Sequence, residues 1–297
     1  MAGHMVLPKG CADIHMDRTD LNFKLSRVGI TGVRKPVNIR RDERVVTLSP
    51  RIDVFVDLPS DMRGSHMSRN AEAIAELVDR SVREPFNSLE DLCLSIVDEL
   101  LERHDYANRA EVNMESDYFR EQKTPNGTGT IEHYSLMARA VHNRGGTRKK
   151  LVGVTVVGMT ACPCAMQTVQ EIVGSEGSDS GSFGVSHNQR NLTTLMLEVP
   201  DTADVEADDL IDIVERSLSA PTREILKRED EAKTVIQAHQ NPRFVEDVAR
   251  NALARVVDRY RDLSDDVDIM VRSVAEESIH KHNAVAERST TMGELRS

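Results

Sequence analysis

The sequence predicts an α+β fold of two tandem ββααββ halves, each an antiparallel sheet with its helices on one face. Two observations carry this. Segments of period-two alternation occur in pairs around paired segments of helical period, and the same order of elements is then met a second time. At 297 residues the chain can bury one large core or two modest ones, and with 3% aromatics and no tryptophan that core must be aliphatic.

In the first half, residues 23–33 and 44–58 alternate as strands, the latter through Val45, Val46, Ile52, Val54 and Val56. Residues 68–82 carry Ala71, Ile74, Ala75, Leu77 and Val78 at helical spacing. A second helix is expected over 88–103, with Ser88 as its cap. Strands over 110–118 and 128–141 follow, divided by the turn Thr124-Pro125-Asn126-Gly127. The second half repeats the order: strands over 150–159 and 191–199, helices over 205–218 and 242–260, a shorter helix near 231–239, and strands over 267–274 and 279–285. The expected division is an N-terminal segment 1–16, a first unit 17–148 and a second unit 149–297. Met1-Ala2-Gly3-His4-Met5 reads as a vector remnant before a native start at Met5. Gly174-Ser175-Glu176-Gly177-Ser178-Asp179-Ser180-Gly181 is too polar to pack and is expected to be a loop.

Composition narrows the function. A net charge of −11 without a basic stripe argues against nucleic acid as a standing partner. Arginine outnumbers lysine 29 to 9, and acidic runs such as Asp204-Val205-Glu206-Ala207-Asp208-Asp209 suit a protein kept soluble at high ionic strength, or an ordinary acidic one. Four cysteines, no secretory signal and no apolar run long enough for a bilayer predict a cytoplasmic protein without a disulfide framework and without a membrane partner.

The most informative of those cysteines lie in Cys162-Pro163-Cys164. In an extended segment the two thiols would face opposite ways, so at most one is a ligand; two small core residues at a strand end are an equally plain reading. Downstream stand His187, Glu231 and the run Glu277-Ser278-Ile279-His280. Singly these are poor signals: a histidine before a strand is more often structural, and Glu231 and Glu246 belong to polar helix starts. Together, thiolate, imidazole and carboxylate suit a catalytic Zn(II) or Fe(II) with one position open to water. No Gly-x-x-x-x-Gly-Lys-Ser/Thr loop is present, so a nucleotide would be held by side chains, with Arg63, Arg69, Arg190, Lys149 and Lys150 as basic candidates.

Asp57-Leu58-Pro59, Gly64-Ser65-His66-Met67-Ser68-Arg69-Asn70, Ala161-Cys162-Pro163-Cys164, His187-Asn188-Gln189-Arg190, Asn241-Pro242-Arg243-Phe244-Val245-Glu246-Asp247 and Glu277-Ser278-Ile279-His280 together resemble the type IB GTP cyclohydrolases, and within them the archaeal branch. The resemblance runs from about Asp17 to His282. It implies the tunnelling fold (T-fold), a homotetramer with sites at subunit interfaces, and GTP as substrate. It implies Cys162 as the thiolate ligand, with His187 and Glu231 on the metal and Glu277 and His280 beside it as further metal-facing or proton-transfer groups. Glu246 would anchor the guanine edge, and His66, Arg69, Arg190 and Lys149 would meet the rest of the nucleotide. Fe(II) is the metal implied, with Zn(II) or Mn(II) possible. The product implied is 7,8-dihydroneopterin 2′,3′-cyclic phosphate, with formate and diphosphate released. Dihydroneopterin triphosphate is the alternative product, and a non-catalytic purine- or pterin-binding protein the alternative class. The spacing from Cys162 to His187 exceeds the bacterial pattern because of the Gly/Ser-rich insertion, which leaves the placement of His187 open.

Overall fold

The structure, a computed structural model, describes residues 14–41, 44–175, 184–201 and 203–297. Residues 1–5, expected above to be a vector remnant, Cys11 and most of the Gly/Ser-rich segment lie outside those residues. The chain divides into two compact units. One holds the chain up to Thr47, Arg51–Met114 and Arg139–Arg148; the other holds Leu48–Pro50, Glu115–Ala138 and Lys149–Ser297.

In the first unit, strand β1 (Leu25–Arg34) pairs antiparallel with β4 (Arg51–Leu58), and β2 (Val37–Arg41) with β3 (Arg44–Leu48) forms a separate two-stranded sheet. The single strand expected over 44–58 is thus two strands. Pro50 stands at the break, where a residue without an N–H cannot continue a ladder. Ile52, Val54, Val56 and Leu58 alternate inward from β4. Helix α2 (Leu89–Arg103) packs against β4, and α1 (Met67–Arg83) packs against α2, β1 and β2; together they bury Ile74, Leu92, Ile96 and Leu100. Ser88 caps α2 as expected, its hydroxyl accepting from Asp91 N at 3.1 Å. Strands β5 (Arg109–Lys123) and β6 (Gly129–Asn143) are longer than their sequence patterns. The Thr124–Thr128 turn joins them, with Gly127 at φ 83°, where a Cβ would be strained.

The second unit takes in the outer parts of β5 and β6 with their turn and continues with β7 (Arg148–Ala161), α3 (Pro163–Ser175), β8 (Asn188–Glu198), α4 (Ala207–Glu215), the short β9 (Ala220–Pro221), α5 (Arg228–Gln240), α6 (Val245–Arg259), β10 (Asp268–Glu276), β11 (Ala284–Thr291) and α7 (Met292–Arg296). The strand order β7-β8-β10-β11 is antiparallel throughout, with β9 also paired to β7. Helices α4 and α6 cover β8 and β10 and bury Leu195, Leu197, Leu210, Ile211 and Ile269. Two expectations are corrected here. Residues 279–283 form the β10–β11 connection rather than a strand. Their His-Lys-His-Asn run has no apolar face to bury, and the strand starts at Ala284, opposite Ala275. The second correction is α3, whose place in the candidate site is described next.

Candidate functional site

Cys162 is the residue at which β7 ends and α3 begins. Proline is favoured at the first position of a helix, where its missing N–H costs nothing. Pro163 therefore starts α3 instead of fixing an extended turn, and Cys162 becomes the cap. Its Sγ accepts from Ala165 N at 3.5 Å, and its carbonyl accepts from Met166 N at 3.2 Å. Cys164, inside the first turn, is exposed. Cys93 is a buried core thiol on α2, where burial pushes its proton affinity up.

The β7–β8 ladder places His187. Its last pairs are Thr160 with Gln189 and Ala161 with Asn188. One residue further, Cys162 N donates to His187 O at 3.1 Å, and Ser186 Oγ donates to Cys162 O at 2.6 Å. Although 24 residues separate the two in sequence, His187 stands opposite Cys162. On the other side of β8, Glu276 pairs with Arg190, and the next residue, Glu277, meets Gln189. Gln189 is buried. Its Nε2 donates to Glu277 Oε1 at 3.5 Å, and its Oε1 lies 2.9 Å from His187 Nδ1. Glu277 Oε2 is 3.9 Å from the same nitrogen. Three adjacent strand ends thus deliver Cys162, His187 with Gln189, and Glu277 to one place.

Other motif residues dock on this end of β7. Arg243 N donates to Ala161 O at 3.0 Å, and Asn241 Nδ2 donates to Leu218 O at 3.1 Å. This holds the start of α6, with Glu246 exposed in its first turn, beside the cysteine. His239, near the end of α5, approaches Ser186 O at 3.3 Å. Glu231 lies about two turns earlier on α5. It is exposed, and no side-chain contact joins it to Cys162, His187 or Glu277 among the described residues. Buried Asp230, next to it, accepts from Asn126 N at 2.8 Å and so fixes the start of α5 against the β5–β6 turn. His280 is exposed in the β10–β11 connection and stacks on His282 at 5.1 Å. Strand alternation turns Arg190 to the face opposite Gln189. Lys149, at the far end of β7 and roughly 40 Å along the strand from Cys162, is paired with Glu198 at 2.8 Å and Asp268 at 2.9 Å.

The donor set of thiol, imidazole and carboxylate suits a borderline cation. The Gln189 contact also leaves His187 Nε2 for such an ion. Among the described residues, no three of His, Cys, Asp and Glu are close enough to hold a metal within one chain. Glu277 reaches the imidazole nitrogen turned toward Gln189, which is the place of a supporting group rather than a ligand.

His66 and Arg69 belong to the first unit and form a separate group. His66 precedes α1, with its ring 4.6 Å from that of His15. Arg69 Nη1 donates to Arg103 O at 2.9 Å. Beneath them is a buried network: His104 Nε2 is 2.7 Å from Asn70 Oδ1, His104 Nδ1 is 2.9 Å from Tyr106 Oη, and Tyr106 Oη is 2.7 Å from Ser65 Oγ. Burial, helped by the charges of Arg69 and His66, pushes the His104 pKa down to about 4. Ser65 and Asn70 thus anchor their motif while His66 and Arg69 are presented. Sequence reading missed His104, Tyr106 and Gln189. Only Gln189 carried a usable signal, its position two residues after His187 at the start of a strand.

Among the described residues, no helix is long and apolar enough to cross a membrane. In the solved structure of uricase from Arthrobacter globiformis the fold is shared at a TM-score of 0.53 and 9% identity, covering 92% of this chain and 96% of that one. This identifies an α+β T-fold. The chain is 45% identical over 289 residues to a GTP cyclohydrolase MptA of Methanothermobacter thermautotrophicus, covering 92% of this chain and 91% of the relative. It is 41% identical over 301 residues to the GTP cyclohydrolase MptA of Methanobrevibacter smithii, covering 96% of each. The family described as type I GTP cyclohydrolase folE2 matches residues 11–286, and the chain belongs to that family.

Proposed function

We propose that the protein is a type IB, metal-dependent GTP cyclohydrolase. It converts GTP and water to 7,8-dihydroneopterin 2′,3′-cyclic phosphate, formate and diphosphate, at the entry to methanopterin-type or archaeal folate-type pterins. The observation that carries this reading is the convergence of Cys162, His187, Gln189 and Glu277 at three strand ends, in a chain 45% identical to a GTP cyclohydrolase MptA.

Cys162 and His187 would hold a divalent cation, Fe(II) foremost, with Zn(II) or Mn(II) as alternatives, and Glu231 is proposed as the third ligand although it does not stand with them within one chain. When bound, the cation supplies Lewis-acid activation of water for attack at C8 of the guanine. Glu246 accepts from the ring N–H and the exocyclic amine of the base, the pairing a carboxylate makes with a guanine edge. Glu277 and His280 serve the proton transfers that accompany ring opening and loss of formate. His66 and Arg69 meet the phosphates, with Arg190, turned to the face opposite Gln189, a weaker candidate. Lys149 is the weakest member of the group, because two carboxylates already neutralise it.

The finer topology we assign is two ββααββ units, β1-β4-α1-α2-β5-β6 and β7-β8-α4-α6-β10-β11, with the remaining elements as insertions. A homotetramer completes the site, His66 and Arg69 of one copy meeting the Cys162 group of another. Phosphorus NMR of an anaerobic Fe(II) reaction tests the product: a cyclic phosphodiester with free diphosphate supports the reading, and an intact triphosphate chain on the pterin overturns its product half.

A further inference from the structure

The geometry points to Gln189 as the positioning residue that fixes which nitrogen of His187 is available to a metal, an inference that rests on the metal-binding reading above. A neutral imidazole carries one N–H, and which nitrogen holds it is set by the partner of the other. Here the choice is imposed by the amide's two contacts. Its Nε2 donates to Glu277 Oε1 at 3.5 Å, which fixes the end of the amide that faces Glu277 as its NH2. The amide oxygen is then turned to His187, 2.9 Å from Nδ1. An oxygen there demands a donor, so Nδ1 carries the proton and Nε2 keeps its lone pair.

The relay is rigid at its centre. Gln189 is buried and sits within the ladder, opposite Thr160 on one side and one register step from Glu276 on the other. Behind it on the same face runs a buried polar set: Thr193 Oγ1 donates to Asn191 Oδ1 at 2.7 Å, and Ser273 Oγ donates to it at 3.1 Å. Glu277 therefore acts on His187 through an amide and not by direct contact, its nearer oxygen being 3.9 Å from Nδ1. Supporting contacts of this kind are worth about 10- to 100-fold in metal affinity.

The test uses the full-length protein stripped of metal, with Zn(II) as probe. Chelator competition measures Zn(II) affinity, and nitrogen NMR of 15N-histidine-labelled protein reads the His187 tautomer before metal is added. Wild type is expected to show a protonated Nδ1 and an unprotonated Nε2. Gln189→Leu is expected to lose that preference and to bind Zn(II) about 10- to 100-fold more weakly. Gln189→Glu keeps an acceptor oxygen toward Nδ1 but faces Glu277 with a carboxylate in place of the amide NH2, so it is expected to restore the wild-type tautomer and not the wild-type affinity, a split that a merely structural role for the side chain would not give. Gln189→Leu with wild-type tautomer and affinity overturns the relay and leaves the metal reading standing. Zn(II) binding indifferent to His187→Ala overturns the metal reading, and the relay with it.

Discussion

Cys162 and Cys164 differ by their places on one helix. Cys162 caps α3 beside His187, whereas Cys164 is exposed in the first turn. Cys162→Ala is expected to abolish turnover and lower bound metal after gel filtration, and Cys164→Ala to be milder. Metal loss confined to Cys164→Ala would reverse the assignment. Glu246→Ala is expected to keep its metal and lose GTP affinity by about 1–3 kcal/mol, the cost of leaving the donors of the base unpaired; titration calorimetry with GTP measures it. His104 gives a pH signature. Folded, it stays neutral down to about 4; unfolded, it takes up a proton near the ordinary 6.5. Between those values the unfolded chain binds more protons, so stability falls as pH falls from 6.5 to 4, by up to about 3 kcal/mol. His104→Gln should flatten that part of a denaturation profile, and an unchanged slope would count against the buried neutral imidazole. At this scale the ligand candidates were legible because their residue types are rare together. The supporting residues were not, because His104 and Asn70 are 34 positions apart and only the fold brings them into contact.

The elements that were legible are those with a buried face, such as α1, α2 and the inner strands, whose periods survive in the sequence. Of those that escaped, two have a plain physical reason. Helix α3 begins at a proline, which also reads as a turn. β11 is an edge strand with Glu287 and Arg288 exposed, so it lacks the alternation of a covered strand. An element-level prediction concerns Gly158 on β7. A Cβ there would lie 2.3 Å from Leu218 Cδ1 and 3.2 Å from Ala220 O, so only glycine lets β9 cross so closely. Gly158→Ala should cost about 1–3 kcal/mol through overpacking. It should also disturb the Leu218 carbonyl that anchors Asn241, raising the KM for GTP more than it lowers thermal stability would suggest. A variant with wild-type KM and melting temperature would show that the crossing has slack.

For the whole molecule, the −11 charge opposes the entry of a nucleoside triphosphate, and cations must be concentrated locally to admit it. Arg69 is the group proposed to do so, by completing the pocket of another copy. Arg69→Ala is expected to raise the KM for GTP at least tenfold with Zn(II) affinity unchanged, and a monomeric fraction isolated at low concentration is expected to be inactive. An unchanged KM would return Arg69 to its contact with Arg103 O as a structural residue. Assembly was the least legible level of all, since a sequence names motifs without saying which copy supplies them. The central claim is hydrolytic release of C8 of guanine at the Cys162 site. Its most direct measurement is carbon NMR of purified protein with Fe(II) and GTP labelled with 13C at C8. The account predicts labelled formate in step with GTP loss, and none from Cys162→Ala. GTP consumed without labelled formate, or formate released equally by Cys162→Ala, would contradict it.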